Sequence, residues 1–156
     1  MNIGKSQEIV DETLKHKRAV FFLIEKIIQL LRSRAFNHDE SKLHTPEKEA
    51  FDVLTPKLRQ TTYNSPEYKE FLLQLKPVLD HHYANNRHHP EHFETGINEM
   101  DLMDLAELLA DWKAATQNTG GNGDLMKSIS ILSEKYGISP QLTQILINTA
   151  KNFGML

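Results

Sequence analysis

Cysteine is absent from this chain of 156 residues, which excludes disulfides, thiolate metal ligands and cysteine nucleophiles. The most apolar run, residues 19–24, is followed by Glu25 and Lys26 and is far too short to span a membrane. The amino terminus lacks the basic and apolar pattern of a signal peptide. The formal net charge of −3 offers no general positive field for a long nucleic acid. Together these absences predict a cytoplasmic protein without membrane or long nucleic-acid partners.

Strand-like alternation is also nearly absent, whereas signals for helix starts recur along the chain. Thr45, Thr55, Ser65, Asp124 and Ser139 each precede a proline or an apolar run, where a side-chain oxygen can cap the first helical amides. The helices predicted from these signals and from apolar periodicity cover residues 6–34, 46–54, 56–62, 66–84, 97–117, 124–136 and 140–153. We therefore predict an all-α fold, an irregular helical bundle that forms a single domain over residues 1–156.

One predicted helix and one connection contain residues that disrupt regular helix. Pro77 falls inside the helix predicted over residues 66–84 and is expected to kink it. The glycine-rich stretch over residues 118–123 is expected to be a flexible connection, because glycine tolerates many backbone conformations.

Eight histidines stand out, and five of them lie between His81 and His92. Helical periodicity places His16 on the apolar side of the first helix, so that it should point inward. The same reasoning places His82 on an apolar side and His81 about 100° away from it. A lone histidine at such a position is often a satisfied core residue, so the metal interpretation depends on further donors.

The further candidate donors are the carboxylates of three aspartates and the imidazole of His38. Asp104 and Asp111 are seven residues apart on one stripe of the helix over residues 97–117, and His38 and Asp39 are adjacent. Buried imidazoles and carboxylates are costly unless they are paired or bound to a cation. A mixed N/O metal site is one interpretation. The others are ion pairs of Asp104 and Asp111 with Arg or Lys, and a helix cap at Asp39.

The order of these residues resembles the HD superfamily of metal-dependent phosphohydrolases, all-α proteins with the pattern H…HD…(H…H)…D. Here the pattern is read as His16, then His38-Asp39, then HHYANNRHHPEH over residues 81–92, then DWKAAT from Asp111. Over about residues 10–150 the chain is also similar to an uncharacterised family of bacteria and phages with HDxSK, HHxxxNRHHPEH and DWKAAT motifs.

The resemblance implies a metal site between the helices over residues 6–34, 66–84 and 97–117. The implied ligands are His16, His38, Asp39, His82, His89 and Asp111. His88 is an alternative to His89, and Asp104 competes with Asp111 for the last position. The implied cofactor is one or two divalent ions, with Mn, Fe, Co, Ni, Mg and Zn as candidates.

The implied activity is hydrolysis of a small phosphorylated metabolite, a nucleotide in particular. Asp39 or Asp104 would take a proton from water, and Lys42 would complete the catalytic set. Lys42, Arg87 and Lys113 would hold the phosphate, Arg87 through a bidentate contact. Two other functions stay open, a di-iron oxygenase and a non-catalytic HD scaffold that binds a nucleotide or a partner. The oligomeric state is open as well, a homo-oligomer included.

Overall fold

The computed structural model describes residues 3–62, 65–117 and 123–156, and the side chains of all of these except residues 3–6 and 59. No β-strand occurs among these residues, which confirms the all-α prediction. Their α-helices are α1 (Ile3–Asn37), α2 (Glu47–Gln60), α3 (Pro66–Asn85), α4 (Leu102–Gln117), α5 (Leu125–Lys135) and α6 (Pro140–Asn152). Short 3₁₀ helices cover Glu40–Leu43, Pro90–His92 and Gly96–Glu99. No helix of the described ranges is both long and apolar enough to cross a membrane.

The chain divides into two compact units, one formed by α1 and the other by the segment His38–Leu156. Within α1, the side chains that the periodicity assigned to a buried face are exposed, with Leu23 at 60% and Ile9 at 64%. Burial of this face stays a prediction. A helical period identifies side chains that share a face, but it carries no information on what covers that face. A single domain over residues 1–156 stays a prediction.

Helix α4 is held on one side by the hydrophobic core of the second unit. In this unit α2 packs against α3, α4 against α5, and α5 against α6. The core residues are Leu105, Leu108, Leu109, Trp112, Leu125, Ile129, Ile138, Leu146 and Ala150. Burial of one large apolar side chain stabilises a fold by about 1.5–3 kcal/mol. Since α4 contributes four of these core residues, packed with residues of α5 and α6, the polar side chains of α4 are held in fixed positions.

Three predicted helix starts are confirmed by capping hydrogen bonds. The side-chain oxygens of Ser65, Asp124 and Ser139 accept from the backbone amide three residues later, at 3.1, 3.1 and 3.3 Å. Each bond satisfies an amide that has no partner inside the helix. At the other end of α5, Gly137 has a φ of 62°, the left-handed conformation that commonly ends a helix.

The helix predicted over residues 46–54 begins at Glu47, one residue after its predicted start, whereas the helix start predicted at Thr55 is wrong. Helix α2 runs without a break through Pro56, and its N-cap residue is Pro46. The Thr45 hydroxyl donates to Glu49 instead of capping a backbone amide. A proline inside a helix removes one hydrogen bond, and the packing of α2 against α3 compensates for that loss.

The remaining sequence predictions concern Pro77 and the glycine-rich connection. Pro77 lies inside α3, which is assigned as one helix from Pro66 to Asn85. Of the connection predicted over residues 118–123, residues 118–122 lie outside the described residues.

Candidate metal centre

The junction after α1 brings His38 and Asp39 to the same place. Asp39 has a φ of 57° and a ψ of 17°, a left-handed conformation that residues other than glycine rarely adopt. The turn lets adjacent side chains converge, with Nε2 of His38 3.6 Å from Oδ2 of Asp39. The Lys42 ammonium lies 2.6 Å from the same oxygen. Strained backbone of this kind is concentrated at functional sites in proteins.

The loop that carries the histidines is attached to the end of α3. The side-chain amide of Asn86 donates to the carbonyl oxygen of His82 and to Oγ of Ser41, both at 2.7 Å. Nδ1 of His92 lies 2.8 Å from the carbonyl oxygen of Tyr83. Because a carbonyl can only accept, this imidazole nitrogen carries the proton.

Two further contacts attach this loop to α4 and to the region of α5. Arg87 donates from Nε and Nη2 to the two carboxylate oxygens of Asp104, at 3.2 and 3.0 Å. Glu91 accepts from the Tyr136 hydroxyl at 2.9 Å and from Lys135 at 3.2 Å. The histidine loop is therefore fixed from three directions, which allows its side chains to be held in a defined arrangement.

Two neighbouring groups of side chains place ligand atoms within 4.8 Å of one another. The first group is Asp39, His82, His88 and His89, and the second is His38, His88 and Asp111. Bonds of about 2.0–2.2 Å from a metal ion to N or O hold its ligand atoms about 3–4.4 Å apart. In the first group, Oδ1 of Asp39 lies 3.3 Å from Nε2 of His82 and 3.6 Å from Nε2 of His88, both within this range. Since the two groups share His88, they adjoin.

Two buried atoms of the first group have no hydrogen-bond partner. They are Oδ1 of Asp39 and Nε2 of His88, and they lie 3.6 Å apart. Nε2 of His82 is 3.3 Å from the same Asp39 oxygen and 2.9 Å from Nε2 of His89. A buried polar atom left unpaired costs about 1–3 kcal/mol. One cation bound between these atoms would satisfy both of them, so the donor set fits a metal ion.

Two glutamates contact the histidines from behind. Oε1 of Glu107 lies 2.9 Å from Nδ1 of His38 and 3.2 Å from Nδ1 of His88. Glu47 is fully buried at the start of α2. Its two oxygens each lie 2.8 Å from an Nδ1 atom, one of His81 and one of His82.

The protonation of two histidines is shifted in opposite directions. Hydrogen bonding to Asp111 and Glu107 raises the pKa of His38 to about 10. Burial, together with the neighbouring His88 and His82, lowers the pKa of His89 to about 4. At neutral pH the metal-free centre therefore holds a charged His38 and a neutral His89.

The two carboxylates of the centre are ionised at neutral pH. Burial alone would raise the pKa of Asp39, but His82 and Lys42 outweigh it and hold that pKa well below its usual range. Burial would likewise raise the pKa of Asp111, and the neighbouring His38 outweighs it. Both side chains therefore carry the negative charge that a cation requires.

Five of the six ligands predicted from the sequence lie in these two groups: His38, Asp39, His82, His89 and Asp111. His88, which was the alternative to His89, belongs to both groups, so the choice between the two histidines was too narrow. His82 is buried and His81 is largely exposed, as periodicity predicted.

His16, predicted as a ligand, has an exposed side chain. It lies on α1, about 30 Å of continuous helix before the end at Asn37. Neither ligand group, drawn from the described side chains, includes it. His16 belongs to the α1 unit, and its inward orientation stays a prediction. Its role as a ligand stays a prediction.

Asp104 and Arg87 are engaged with each other. Asp104 is fully buried, and its oxygens accept from the Arg87 guanidinium and from the Asp101 amide. The structure therefore places Asp104 outside both ligand groups and the Arg87 fork on a carboxylate of the protein, contrary to the roles expected of them. The positive charge of Arg87 on the loop pairs with the negative charge of Asp104 on α4. This ion pair is the alternative that the sequence left open for Asp104. Lys113 is partly buried, two residues after Asp111 on α4.

Glu47 and Glu107 were missed by the sequence reasoning. Glu107 lies three residues after Asp104 and four before Asp111, a spacing that puts all three on one side of a helix and could have identified it. Glu47 carries no comparable signal, because an acidic residue in the first turn is an ordinary feature of helix starts.

The fold and the centre define an all-helical protein with a histidine–aspartate cluster that could hold a metal ion. The chain matches the model of a family of unknown function, DUF5662, over residues 5–152. It belongs to this family. No curated protein and no solved structure matches it.

Proposed function

We propose that this protein is a cytoplasmic, metal-dependent phosphohydrolase that acts on a small phosphorylated metabolite, a nucleotide in particular. One observation carries the proposal, the pair of buried and unpartnered atoms, Oδ1 of Asp39 and Nε2 of His88, 3.6 Å apart within a His/Asp cluster. The arrangement of HD-like motifs along the chain supports the choice of phosphoester chemistry. The net charge of −3 favours a small substrate over a long nucleic acid.

The first ligand group would hold the principal ion. Asp39, His82, His88 and His89 supply one carboxylate and three imidazoles, a donor set suited to Mn, Fe, Co, Ni or Zn, with Mg less well matched to nitrogen. A divalent cation supplies hydroxide near neutral pH and neutralises charge on phosphate oxygens. His38 and Asp111 lie beside this group and would take part in holding a second ion.

The residues around the ligands would bind and orient the substrate. The Lys42 ammonium is 40% exposed while it contacts Asp39, so it can also reach a phosphate on the solvent side. Of the two carboxylates expected to accept a proton from water, Asp39 is in the cluster and Asp104 is engaged with Arg87. Lys113 stays a candidate for phosphate binding. Arg87 would hold the loop in place.

Hydrolysis of a panel of nucleotides and phosphomonoesters tests this proposal. The protein would be purified without a histidine tag and assayed with Mn, Co, Ni and Mg, before and after chelation. We expect metal-dependent release of phosphate that falls at least about 100-fold in His88→Ala, because a ligand is lost. His44→Ala is the matched control, since His44 is exposed and hydrogen-bonded to Glu40.

Three results would contradict the proposal. The first is an absence of hydrolysis with every metal, which would favour the non-catalytic binder. The second is turnover that requires bound iron and oxygen, which would favour the di-iron oxygenase. The third is equal activity in His88→Ala and the wild type, which would place the reaction elsewhere.

A further inference from the structure

We propose that Glu47 and Glu107 are positioning residues that bind the Nδ1–H groups of the ligand histidines and thereby direct their Nε2 lone pairs at the cation. This inference rests on the metal-dependent function proposed above and names the residues that prepare the centre for its ion. Neither glutamate belongs to a ligand group.

One oxygen of Glu107 contacts the Nδ1 atoms of two histidines. Its Oε1 lies 2.9 Å from Nδ1 of His38 and 3.2 Å from Nδ1 of His88. An ionised carboxylate can only accept hydrogen bonds, so each of these Nδ1 atoms carries a proton. In a neutral His88 the other ring nitrogen, Nε2, then has no proton and carries a free lone pair.

That lone pair explains the unpartnered atoms of the centre. Nε2 of His88 faces Oδ1 of Asp39 at 3.6 Å, and both are buried. With the proton of His88 held at Nδ1 by Glu107, both facing atoms are acceptors and cannot bond to each other. A cation between them converts two unsatisfied acceptors into two ligands.

Glu47 does the same for His82 from the opposite side. Its Oε2 lies 2.8 Å from Nδ1 of His82 and accepts from the Ser41 hydroxyl at 3.0 Å, while its Oε1 lies 2.8 Å from Nδ1 of His81. In a neutral His82 the Nε2 atom, 3.3 Å from Oδ1 of Asp39, then carries a free lone pair. Burial of the Glu47 side chain shields these contacts from competing water.

The hydrogen-bond geometry distinguishes these residues from ordinary buried glutamates. A carboxylate behind a ligating imidazole fixes its tautomer and orientation and makes it a better ligand, and loss of such a partner typically weakens metal binding by about 10–100-fold. Glu49, two residues after Glu47 on α2, is exposed and accepts from the Thr45 hydroxyl instead. It therefore provides a control for the loss of a glutamate.

The test combines two measurements on full-length protein and its variants. Long-range ¹H–¹⁵N spectra of the metal-free protein report which ring nitrogen carries the proton. Titration with Co(II), followed by visible absorption, reports affinity and coordination. The variants are Glu47→Leu, Glu107→Leu, Glu47→Gln and Glu107→Gln, with Glu49→Leu as the control.

We expect the Nδ1–H form for His82 and His88 in the metal-free wild type. The two leucine variants at positions 47 and 107 should bind Co(II) about 10–100-fold more weakly, with an altered absorption spectrum. Each glutamine variant keeps an acceptor oxygen and should stay within a few-fold of the wild type. In Glu47→Gln the amide NH₂ must face His81, so His81 alone should change its tautomer. Glu49→Leu should retain the wild-type affinity and spectrum.

Two outcomes would overturn the positioning role itself. One is the Nε2–H form at His82 and His88 in the wild type. The other is a folded leucine variant with wild-type affinity and spectrum. If the leucine variants do not fold, two other results test the positioning role. These are the histidine tautomers in the wild-type spectra and the change of the His81 tautomer in Glu47→Gln. A wild type with the expected tautomers that binds no Co(II) would instead reject the metal function on which the proposal rests.

Discussion

Asp39 and Asp104 are two aspartates of the second unit, and their carboxylates differ in burial and in hydrogen-bond partners. Asp104 is fully buried, and its oxygens accept from the Arg87 guanidinium and the Asp101 amide. Asp39 is partly exposed, but its Oδ1 is buried without a hydrogen-bond partner beside Nε2 of His88. Its backbone also has a φ of 57°.

The difference between these two aspartates separates a structural ion pair from a binding site. Burial of a carboxylate is tolerated when hydrogen bonds and an opposite charge compensate for lost hydration, as at Asp104. At Asp39 the compensation on one oxygen is incomplete, and the neighbouring atoms are nitrogens of histidines. An unsatisfied acceptor in strained backbone therefore indicates a place for a cation, whereas a satisfied buried carboxylate indicates stability.

The largest effect that this comparison predicts is loss of metal binding in Asp39→Asn. An asparagine tolerates the left-handed backbone, so the fold should persist while one ligand and its charge are lost. We expect affinity for Mn(II) or Co(II) to fall at least about 100-fold. Isothermal titration calorimetry measures it, and circular dichroism verifies the fold. Unchanged affinity in a folded Asp39→Asn protein would remove Asp39 from the site.

Asp104→Asn should affect stability instead of metal binding. The change weakens the bidentate pair with Arg87, and we expect a loss of about 1–3 kcal/mol in the free energy of unfolding. Urea denaturation of the metal-free protein measures this loss, and metal affinity should stay within about three-fold of the wild type. A variant of wild-type stability that binds metal poorly would mean that Asp104 belongs to the centre after all.

We also expect metal affinity to depend on pH through His38, independently of the Arg87–Asp104 pair. Because the pKa of His38 is raised to about 10, a cation that uses this histidine must displace a proton at neutral pH. Affinity should therefore increase with pH above 6.5, by up to about tenfold per unit. The slope should persist in Asp104→Asn and flatten in His38→Gln. Calorimetry in buffers of different ionisation enthalpy would count the released proton, and a count of zero at pH 8 would contradict the role of His38.

The same shift predicts the sign of a stability change in the metal-free protein. A pKa raised in the folded state means that His38 contributes stability fully below pH 6.5, and that this contribution is lost as pH rises towards 10. The wild type and His38→Gln should therefore converge in stability between these values, as thermal unfolding would show.

Local sequence signals predicted the helices where a cap or an apolar stripe determines the backbone. Ser65, Asp124 and Ser139 begin helices as expected because a hydroxyl or carboxylate oxygen satisfies a free amide. Thr55-Pro56 failed as a start signal, since packing of α2 against α3 outweighs one lost hydrogen bond. Periodicity groups the apolar side chains of α1 on one face, but it does not indicate what packs against that face.

The candidate ligands could be predicted from the sequence better than the glutamates that hydrogen-bond to them. Periodicity singled out His82 and Asp111 as polar residues on apolar faces, and the resemblance to the HD superfamily implied that these two residues, with His38 and Asp39, are metal ligands. The loop geometry that brings both His88 and His89 to Asp39 depends on long-range contacts, which no local pattern contains. The role of Glu107 likewise depends on a contact with His38 across 69 positions of the chain.

The most direct test is an anomalous-scattering crystallographic experiment on protein soaked with Mn(II) or Co(II). The account predicts a peak at about 2.0–2.3 Å from both Oδ1 of Asp39 and Nε2 of His88, the two atoms that lack partners without it. Soaked crystals with no anomalous peak at the cluster, or with Asp39 and His88 bridged by water alone, would contradict it.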